Sequence, residues 1–354
     1  MKPADLKNEI ALKVALALAV IASLAGCGGR GSSTGGNGGG TTTPAAAKNI
    51  YVIQNSLTFP LTPGSILQFS ATTSGSVSPQ NTIIPPAAGD DLQGLATDAQ
   101  GNVYVATRTQ SASTLLEYAP GANSTATPIR SIPGNNTTMM WNPDGLAISS
   151  SGQIVVGQDN GGVATYSPAA NGNVAPEYYI LGAYQIGGGL STLNAAEEVA
   201  ESSGNLYVFN WGVAGPPIAI FSATASGNVA PTGTIGGSLT GLSSVGGVAT
   251  DSAGNVYITT TGAGGGKIEV FAPTATGNVA PIRTISSSEL QFQALGGIAL
   301  DAVGNIYVIS TTDTGQDPAV LEFSASASGN VQPILTITSS VWTYPDDYFS
   351  LAVY

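Results

Sequence analysis

The sequence predicts an all-β chain folded as a six-bladed β-propeller, in which each blade is a four-stranded antiparallel sheet. A short strand core recurs six times along the 354 residues, at a spacing of about 50 residues that is typical of propellers and repeat arrays. Turn residues stand at fixed places between the copies, and the two ends of the repeat region complement each other. The recurring strand cores are Ile50-Tyr51-Val52, Val103-Tyr104-Val105, Ile154-Val155-Val156, Leu206-Tyr207-Val208, Val256-Tyr257-Ile258 and Ile306-Tyr307-Val308.

One repeat shows all four strands of a blade. Residues Gly247–Asp251 form a small-residue strand a, and Asn255–Ile258 form strand b after a tight turn. Lys267–Phe271 is strand c, and Ile282–Ile285 is strand d. Short strands separated by turns in this order predict one antiparallel sheet, which is one propeller blade.

Turn chemistry supports the repeat. The a–b turns carry Asp at the first and Gly at the fourth position, as in type I turns, so Asp98, Asp251 and Asp301 are interpreted as turn-capping residues rather than as a ring of ligands. Strand c ends in an aromatic residue in every unit, and a proline precedes strand d, where a missing N–H is tolerated. These residues are Phe69, Tyr118, Tyr166, Phe221, Phe271 and Phe323, and Pro79, Pro128, Pro176, Pro231, Pro281 and Pro333.

The ends of the repeat region predict how the ring closes. The first unit begins directly with strand b at Asn49–Val52, whereas Ser350–Val353 resembles a strand a with no unit after it. The simplest arrangement places the C-terminal strand in the first blade, which removes the exposed edges. An open solenoid is the alternative.

Composition excludes several classes of function. The formal net charge is −12 with only nine Lys and Arg, which disfavours nucleic-acid binding because few phosphates could be neutralised. The chain has no His, so His-based triads, general bases and metal sites are excluded. Its single cysteine, Cys27, excludes disulfides within the chain.

The N-terminal region predicts export and membrane attachment. Residues 1 to 27 contain an apolar run, Val14–Ala22, that ends in Leu24-Ala25-Gly26-Cys27. This tetrapeptide resembles the lipobox of bacterial lipoproteins, in which the leader is removed and the cysteine is lipidated. An ordinary secretory leader, or a signal anchor with a chance cysteine, is the alternative. Residues 28 to 47 predict a flexible tether with a reach of about 25 Å. Because no Asp follows Cys27, an outer-membrane or cell-surface location is expected, with the propeller spanning residues 48 to 354.

The pattern Gly-Ile-Ala-x-Asp-x-x-Gly-Asn-Ile-Tyr-Val of Gly297–Val308 resembles the NHL-repeat family of β-propellers over residues 48 to 354. The chain is also similar, more loosely, to gluconolactonase-like propellers. The NHL resemblance implies a propeller used mainly as a binding platform. The related amidating lyases and quinoprotein dehydrogenases need histidines that this chain lacks, whereas lactonase-type propellers hold calcium with Glu, Asn and Asp. No motif here maps those ligands residue by residue.

Topology indicates where a site would lie. The short a–b and c–d turns share one side of the disk, here called the turn face, and the long b–c loops and d–a connections share the other, here called the loop face. Long irregular loops are where function concentrates. The aromatic and acidic candidates for ligand binding all fall on the loop face, although aromatic plugs and solvated acids would give the same composition. These candidates are Trp141, Trp211, Trp342, Asp90, Asp91, Asp144, Glu197, Glu198, Asp346 and Asp347.

Glu198 is the most unusual candidate. In the aligned repeats it stands where Leu95 and Val248 stand in other units, and Glu197 replaces Gly94 and its equivalents. A buried acid is costly unless it is paired or binds a metal. Either the alignment slips here, or Glu197 or Glu198 is a channel ligand for calcium or a substrate, or the two acids form a solvated edge. The sequence thus predicts a protein- or glycan-binding module, with a calcium-dependent lactonase-type hydrolase as the alternative; catalysis is not favoured, because no base is evident.

Overall fold

The computed structural model describes residues 49–55, 64–86, 91–108, 113–135, 137–138, 140–159, 161–182, 192–212, 217–261, 265–288, 297–310, 318–342 and 350–354. These residues belong to one compact unit, Ala46–Tyr354. Their regular elements are all strands in six sheets, which confirms the predicted all-β, six-bladed propeller. Within these residues no helix is long and apolar enough to cross a membrane. The leader, Cys27 and the tether lie outside the described residues.

Each blade places strand a at the central channel and strand d at the outer rim. Blade 1 consists of β1 (Asn49–Gln54), β2 (Ser65–Ser70), β4 (Asn81–Ile83) and β26 (Leu351–Val353), and blade 2 of β5 (Asp91–Thr97), β6 (Val103–Arg108), β7 (Ser113–Tyr118) and β8 (Arg130–Pro133). Blade 3 consists of β9 (Pro143–Ile148), β10 (Ile154–Gln158), β11 (Val163–Tyr166) and β12 (Tyr178–Ile180), and blade 4 of β13 (Ala195–Ser202), β14 (Asn205–Trp211), β15 (Ile218–Ser222) and β16 (Gly233–Ile235). Blade 5 consists of β17 (Ser244–Thr250), β18 (Val256–Thr261), β19 (Lys267–Phe271) and β20 (Arg283–Ser286), and blade 6 of β21 (Ile298–Leu300), β22 (Ile306–Ser310), β23 (Ala319–Phe323) and β25 (Leu335–Thr338).

The C-terminal strand completes blade 1, as the sequence predicts. Strand β26 pairs antiparallel with β1, and Ala352 lies opposite Tyr51. The backbones of Asn49 and Tyr354 extend the pairing with two hydrogen bonds of 2.7 and 2.9 Å. Since the two ends of the repeat region share one sheet, the ring closes without a free inner edge.

The hydrophobic core is divided into six clusters, one at each interface between neighbouring blades. Between blades 6 and 1, for example, Ile50 and Phe69 pack against Tyr307 and Ile337. Each aromatic residue at the end of strand c has 0% exposure, and burying one stabilises the fold by about 2 to 3 kcal/mol. The blades therefore gain stability from their neighbours around the whole ring.

The a–b turns are held by their aspartates. Asp98 accepts hydrogen bonds from the backbone of Gln100 and Asn102, and its second oxygen accepts from the Asn102 amide at 2.7 Å and from the Tyr104 hydroxyl at 3.1 Å. Asp251 and Asp301 make the same set of bonds in their own turns. The structural interpretation of these three aspartates is confirmed.

Each outer strand is covered by the c–d turn of the next blade. Two sheets gain a fifth, parallel strand in this way, because β3 (Gly75–Ser76) pairs with β25 and β24 (Gly329–Asn330) pairs with β20. Bridges or single hydrogen bonds make the same connection at the other interfaces. The central turn residue has a positive φ in every blade, and these residues are Gly75, Ser124, Gly172, Gly227, Gly277 and Gly329.

A pair of glycine variants tests the close approach of the inner strands β9 and β13, with a glycine of an outer turn for comparison. A Cβ on Gly145 would lie 2.7 Å from the Glu197 carbonyl oxygen, whereas one on Gly227 would meet open space at a φ of +79°. We expect Gly145→Ala to lower the free energy of unfolding by about 2 to 3 kcal/mol through overpacking. Gly227→Ala should cost only about 1 kcal/mol, through backbone strain. Urea unfolding of the full chain measures both, and equal losses would contradict the close approach of β9 and β13.

Candidate functional site

A polar residue at the end of strand b holds each of four d–a connections on the loop face. Three of these side chains, Gln158, Asn210 and Thr260, are at most 4% exposed. Because they satisfy backbone groups of the connection, the loop face has a fixed framework. The bonds are Gln54 Nε2 to Val341 O (2.8 Å), Trp141 N to Gln158 Oε1 (2.6 Å), Asn194 N to Asn210 Oδ1 (2.7 Å) and Ser243 N to Thr260 Oγ1 (3.1 Å).

Strand a begins with a bulge where it reaches the mouth of the channel. The register against strand b shifts in blades 2, 3, 4 and 5, each time just ahead of the aliphatic residue of strand a. Bulges redirect side chains and are frequent beside functional sites. The residues at these shifts are Gln93-Gly94, Asp144-Gly145, Glu197-Glu198 and Gly246-Gly247.

The sequence alignment at Glu198 was wrong by one residue. Val199, not Glu198, lies opposite Val208 and so corresponds to Leu95, which lies opposite Val105. Glu198 therefore occupies the position that is glycine in blades 2, 3, 5 and 6 and Ser350 in blade 1, and Glu197 corresponds to Asp144. The error arose because the sequence does not show where the bulge absorbs a residue. The corrected position still leaves an acid where the repeat has glycine.

Five acids from three adjacent blades form an acidic cluster on the loop face: Asp91, Asp144, Asp159, Glu197 and Glu198. Arg108 is its cation among the described residues and lies 3.6 Å from Asp91 and 3.8 Å from Asp144. Glu197 and Glu198 form no hydrogen bond or ion pair with any described residue. One guanidinium thus faces five carboxylates, and much of the negative charge is uncompensated.

Burial and mutual repulsion raise the pKa of three of these acids. Burial is the main cause for Asp144, whose pKa is raised to about 7 although Arg108 opposes the shift. Burial and the charges of Asp144 and Asp159 raise the pKa of Glu197 to about 7. Glu198, whose carboxyl group is buried, has its pKa raised to about 8 by burial and then by Glu197 and Asp144. Perturbed carboxylates of this kind are typical of functional sites.

The three tryptophans differ in their surroundings. Trp141 is 41% exposed and Trp211 is 59% exposed, and both belong to the blades that carry Asp144 and Glu198. Trp342 instead packs against the cluster between blades 6 and 1, with its ring in an edge-on contact 5.2 Å from that of Phe69. Two of the three therefore offer an exposed aromatic surface, and the third contributes to the core.

The remaining candidates contribute less to the site. Asp90, Asp346 and Asp347 lie outside the described residues. Within the described ranges, no three acidic or cysteine side chains are placed to hold a metal ion. A calcium site at Glu197 and Glu198 would therefore need ligands from elsewhere.

The central channel itself is narrow, and its lining combines aliphatic residues with a few polar ones, such as Thr97 and Glu201. It encloses about 200 Å³, and the aliphatic position of every strand a is buried there. This volume is below the range of typical ligand pockets, so a sizeable ligand would bind on a face of the disk. The aliphatic residues are Leu95, Leu146, Val199, Val248, Ile298 and Leu351.

Comparisons with known proteins give structural likeness only. No family model matches the chain, and no curated protein matches it. Among solved structures, it is similar to the WD40 domain of Toxoplasma gondii coronin, with a TM-score of 0.48 and 13% identity over 82% of this chain and 69% of that chain. It is also similar to the WD40 β-propeller domain of Doa1, with a TM-score of 0.47 and 13% identity over 82% of this chain and 81% of that chain. For YCF48 bound to D1 peptide, the TM-score is 0.41 and the identity 9% over 79% of this chain and 78% of that chain. None of these likenesses extends beyond general architecture.

The raised pKa of Glu198 predicts a pH-dependent stability. Its folded-state pKa of about 8 exceeds the unfolded value of 4.5, so the folded state holds the proton more tightly. The contribution is complete below pH 4.5 and is lost as the pH rises through 8. We expect Glu198→Gln to be more stable than the parent chain at pH 9 and to lose less stability between pH 5 and pH 9.

Urea unfolding across that pH range measures the difference. The matched control is Glu177→Gln, because Glu177 is exposed and precedes the outer strand β12, away from the cluster. This control should keep the pH dependence of the parent chain. Identical pH profiles for Glu198→Gln and the parent would refute the assigned environment of Glu198.

Proposed function

We propose that this protein is a binding module that docks a protein or a glycan on the loop face of an NHL-like propeller. One observation carries the proposal: Trp141 and Trp211 are exposed on the blades that carry the uncompensated acidic cluster. Tryptophan supplies a large apolar surface with a polar N–H and dominates many binding interfaces. A framework held by buried polar side chains favours a rigid, preformed binding face.

The proposed location is the cell envelope. Residues 1 to 27 would act as a lipoprotein leader, Cys27 would carry the lipid, and residues 28 to 47 would tether the propeller at the outer membrane or cell surface. A tether of this composition reaches about 25 Å, which would hold the folded domain just clear of a membrane surface. The support for this location is the lipobox-like sequence around the chain's single cysteine.

A second candidate function is a calcium-dependent hydrolase of the lactonase type. It is favoured by the three carboxylates whose pKa is raised at the channel mouth. The described acids are not grouped to hold a metal by themselves. Thermal unfolding with calcium and then with a chelator separates the two candidates, since a specifically bound ligand at a hundredfold excess over its Kd stabilises the fold by about 2.7 kcal/mol.

Removing the exposed indoles tests the binding face. We expect the double variant Trp141→Ala, Trp211→Ala to lose at least about tenfold in affinity on glycan arrays or panels of purified envelope proteins. Val303→Ala is the matched control, because Val303 is 68% exposed in an a–b turn on the turn face. Binding that is unchanged in the double variant, or equally weakened in the control, would contradict use of the loop face.

Cell fractionation tests the anchor. With lipid on Cys27 the protein should sediment with the membrane fraction, and Cys27→Ala should release it into the soluble fraction. Mass spectrometry of the N-terminal peptide should find a diacylglyceryl group on Cys27 in the parent chain. An unmodified cysteine together with unchanged membrane association would rule out the lipoprotein proposal.

A further inference from the structure

A groove lies beside the acidic cluster, between blades 4 and 5 on the loop face. It has a volume of about 470 Å³ and a mixed lining, in which Asn210 and three serines stand beside the apolar residues Phe209, Trp211, Pro217, Leu242 and Val245. This volume lies within the range of ligand pockets in proteins and would accept a large apolar side chain. Part of the Trp211 side chain remains open to solvent above it. The groove thus offers apolar contacts beside an aromatic wall, within a lining that also carries polar groups.

The groove and the carboxylates share one pair of strands. Glu198 on β13 lies opposite Phe209 on β14, and Ala196 lies opposite Asn210. The following residue of β14, Trp211, lines the groove. Opposed residues of neighbouring strands are separated by about 5 Å, so an occupant of the groove can also reach the acids at the start of β13.

Two acids at this place have no cation of the chain beside them among the described residues. Arg108 forms ion pairs with Asp91 and Asp144. Glu197 and Glu198 have no ion-pair partner among the described residues. A buried, unpaired carboxylate is unfavourable, and an arriving cation would offset that cost. A neutral sugar would leave the carboxylates uncompensated, and the described acids are not grouped to hold a metal ion.

We propose that this composite site takes a basic peptide segment of a partner protein, with a Lys or Arg side chain at Glu197 and Glu198 and a neighbouring apolar side chain in the groove beside Trp211. The inference rests on the proposed binding function and names the partner chemistry of the same face. The net charge of −12 adds long-range attraction for such a segment.

The test uses two fluorescent hexapeptides, one alternating Lys and Leu and one alternating Gln and Leu, titrated into the full chain and followed by anisotropy. We expect the lysine peptide to bind at least about tenfold more tightly than the glutamine peptide. The double variant Glu197→Gln, Glu198→Gln should remove most of that preference, and Glu177→Gln, with only one charge removed on another surface, should keep it. A second control, Glu177→Gln combined with Glu201→Gln, removes the same number of charges and should also keep the preference.

The pH dependence gives a second readout that general charge attraction would not produce. Because a cationic side chain prefers ionised carboxylates, affinity for the lysine peptide should rise as the pH passes through 7 and 8, and the double glutamine variant should lose this rise. Trp211→Ala should weaken both peptides through the groove. A lysine preference that survives in the double glutamine variant, or that falls equally in the charge-matched control, overturns the inference. If envelope ligands depend on the tryptophans while neither peptide binds, the binding function stands and the basic-peptide assignment alone is wrong.

Discussion

The six inner strands have to approach one another around a single narrow axis, and this requirement constrains every blade in the same way. Each strand a has an alanine opposite the central position of strand b, and the channel they line encloses only about 200 Å³. One residue away, a buried aliphatic side chain fills the space toward the neighbouring blade. Just before it, the bulged backbone of one blade meets the next so closely that Gly94 and Gly145 have no room for a Cβ. The six alanines are Ala96, Ala147, Ala200, Ala249, Ala299 and Ala352.

Closure of the ring and protection of its rim follow from the same repeat. Inner packing is complete only if all six interfaces are formed, so the last interface depends on β26 joining β1. At the rim, each outer strand would expose an unpaired edge, which invites association with other chains. The c–d turn of the next blade pairs with that edge in the parallel sense, through hydrogen bonds such as the one from Gly277 N to Thr234 O (2.5 Å). Inner and outer contacts therefore both connect neighbouring blades. Since these contacts are lost in a single blade, one blade is not expected to be stable alone.

Much of this architecture was predictable because the repeat encodes local structure. Asp251 and Asn255 make their bonds within one turn, and Pro281 lies just ahead of Ile282, whose N–H begins the pairing with Val270 at 2.8 Å. The contacts between blades were not predictable in the same way, because the turn at Gly227 meets Tyr179 across 48 positions of sequence without any local signal. The same limit applied at the site. Acids and tryptophans are assigned to the loop face by the sequence, but the register of Glu198 depends on a bulge, and Trp342 is partly buried against a core cluster.

The substitution of glycine by Glu198 distinguishes one sector of an otherwise regular ring. At the equivalent places the repeat has Gly94, Gly145, Gly247 and Gly297, and Ser350 in blade 1. At Gly94 and Gly145 the backbone of the next blade leaves no room for a Cβ. Blade 5, the next blade, has two adjacent glycines, Gly246 and Gly247, at its own register shift. This is the place that would have to make room for the side chain of Glu198. A carboxyl group whose pKa is raised to about 8 by burial destabilises the folded chain at neutral and alkaline pH. Structure alone gives no benefit from this residue, since glycine would satisfy the repeat at lower cost. The proposed basic ligand would supply that benefit, because a cation beside the carboxylate would replace the solvation that burial removes.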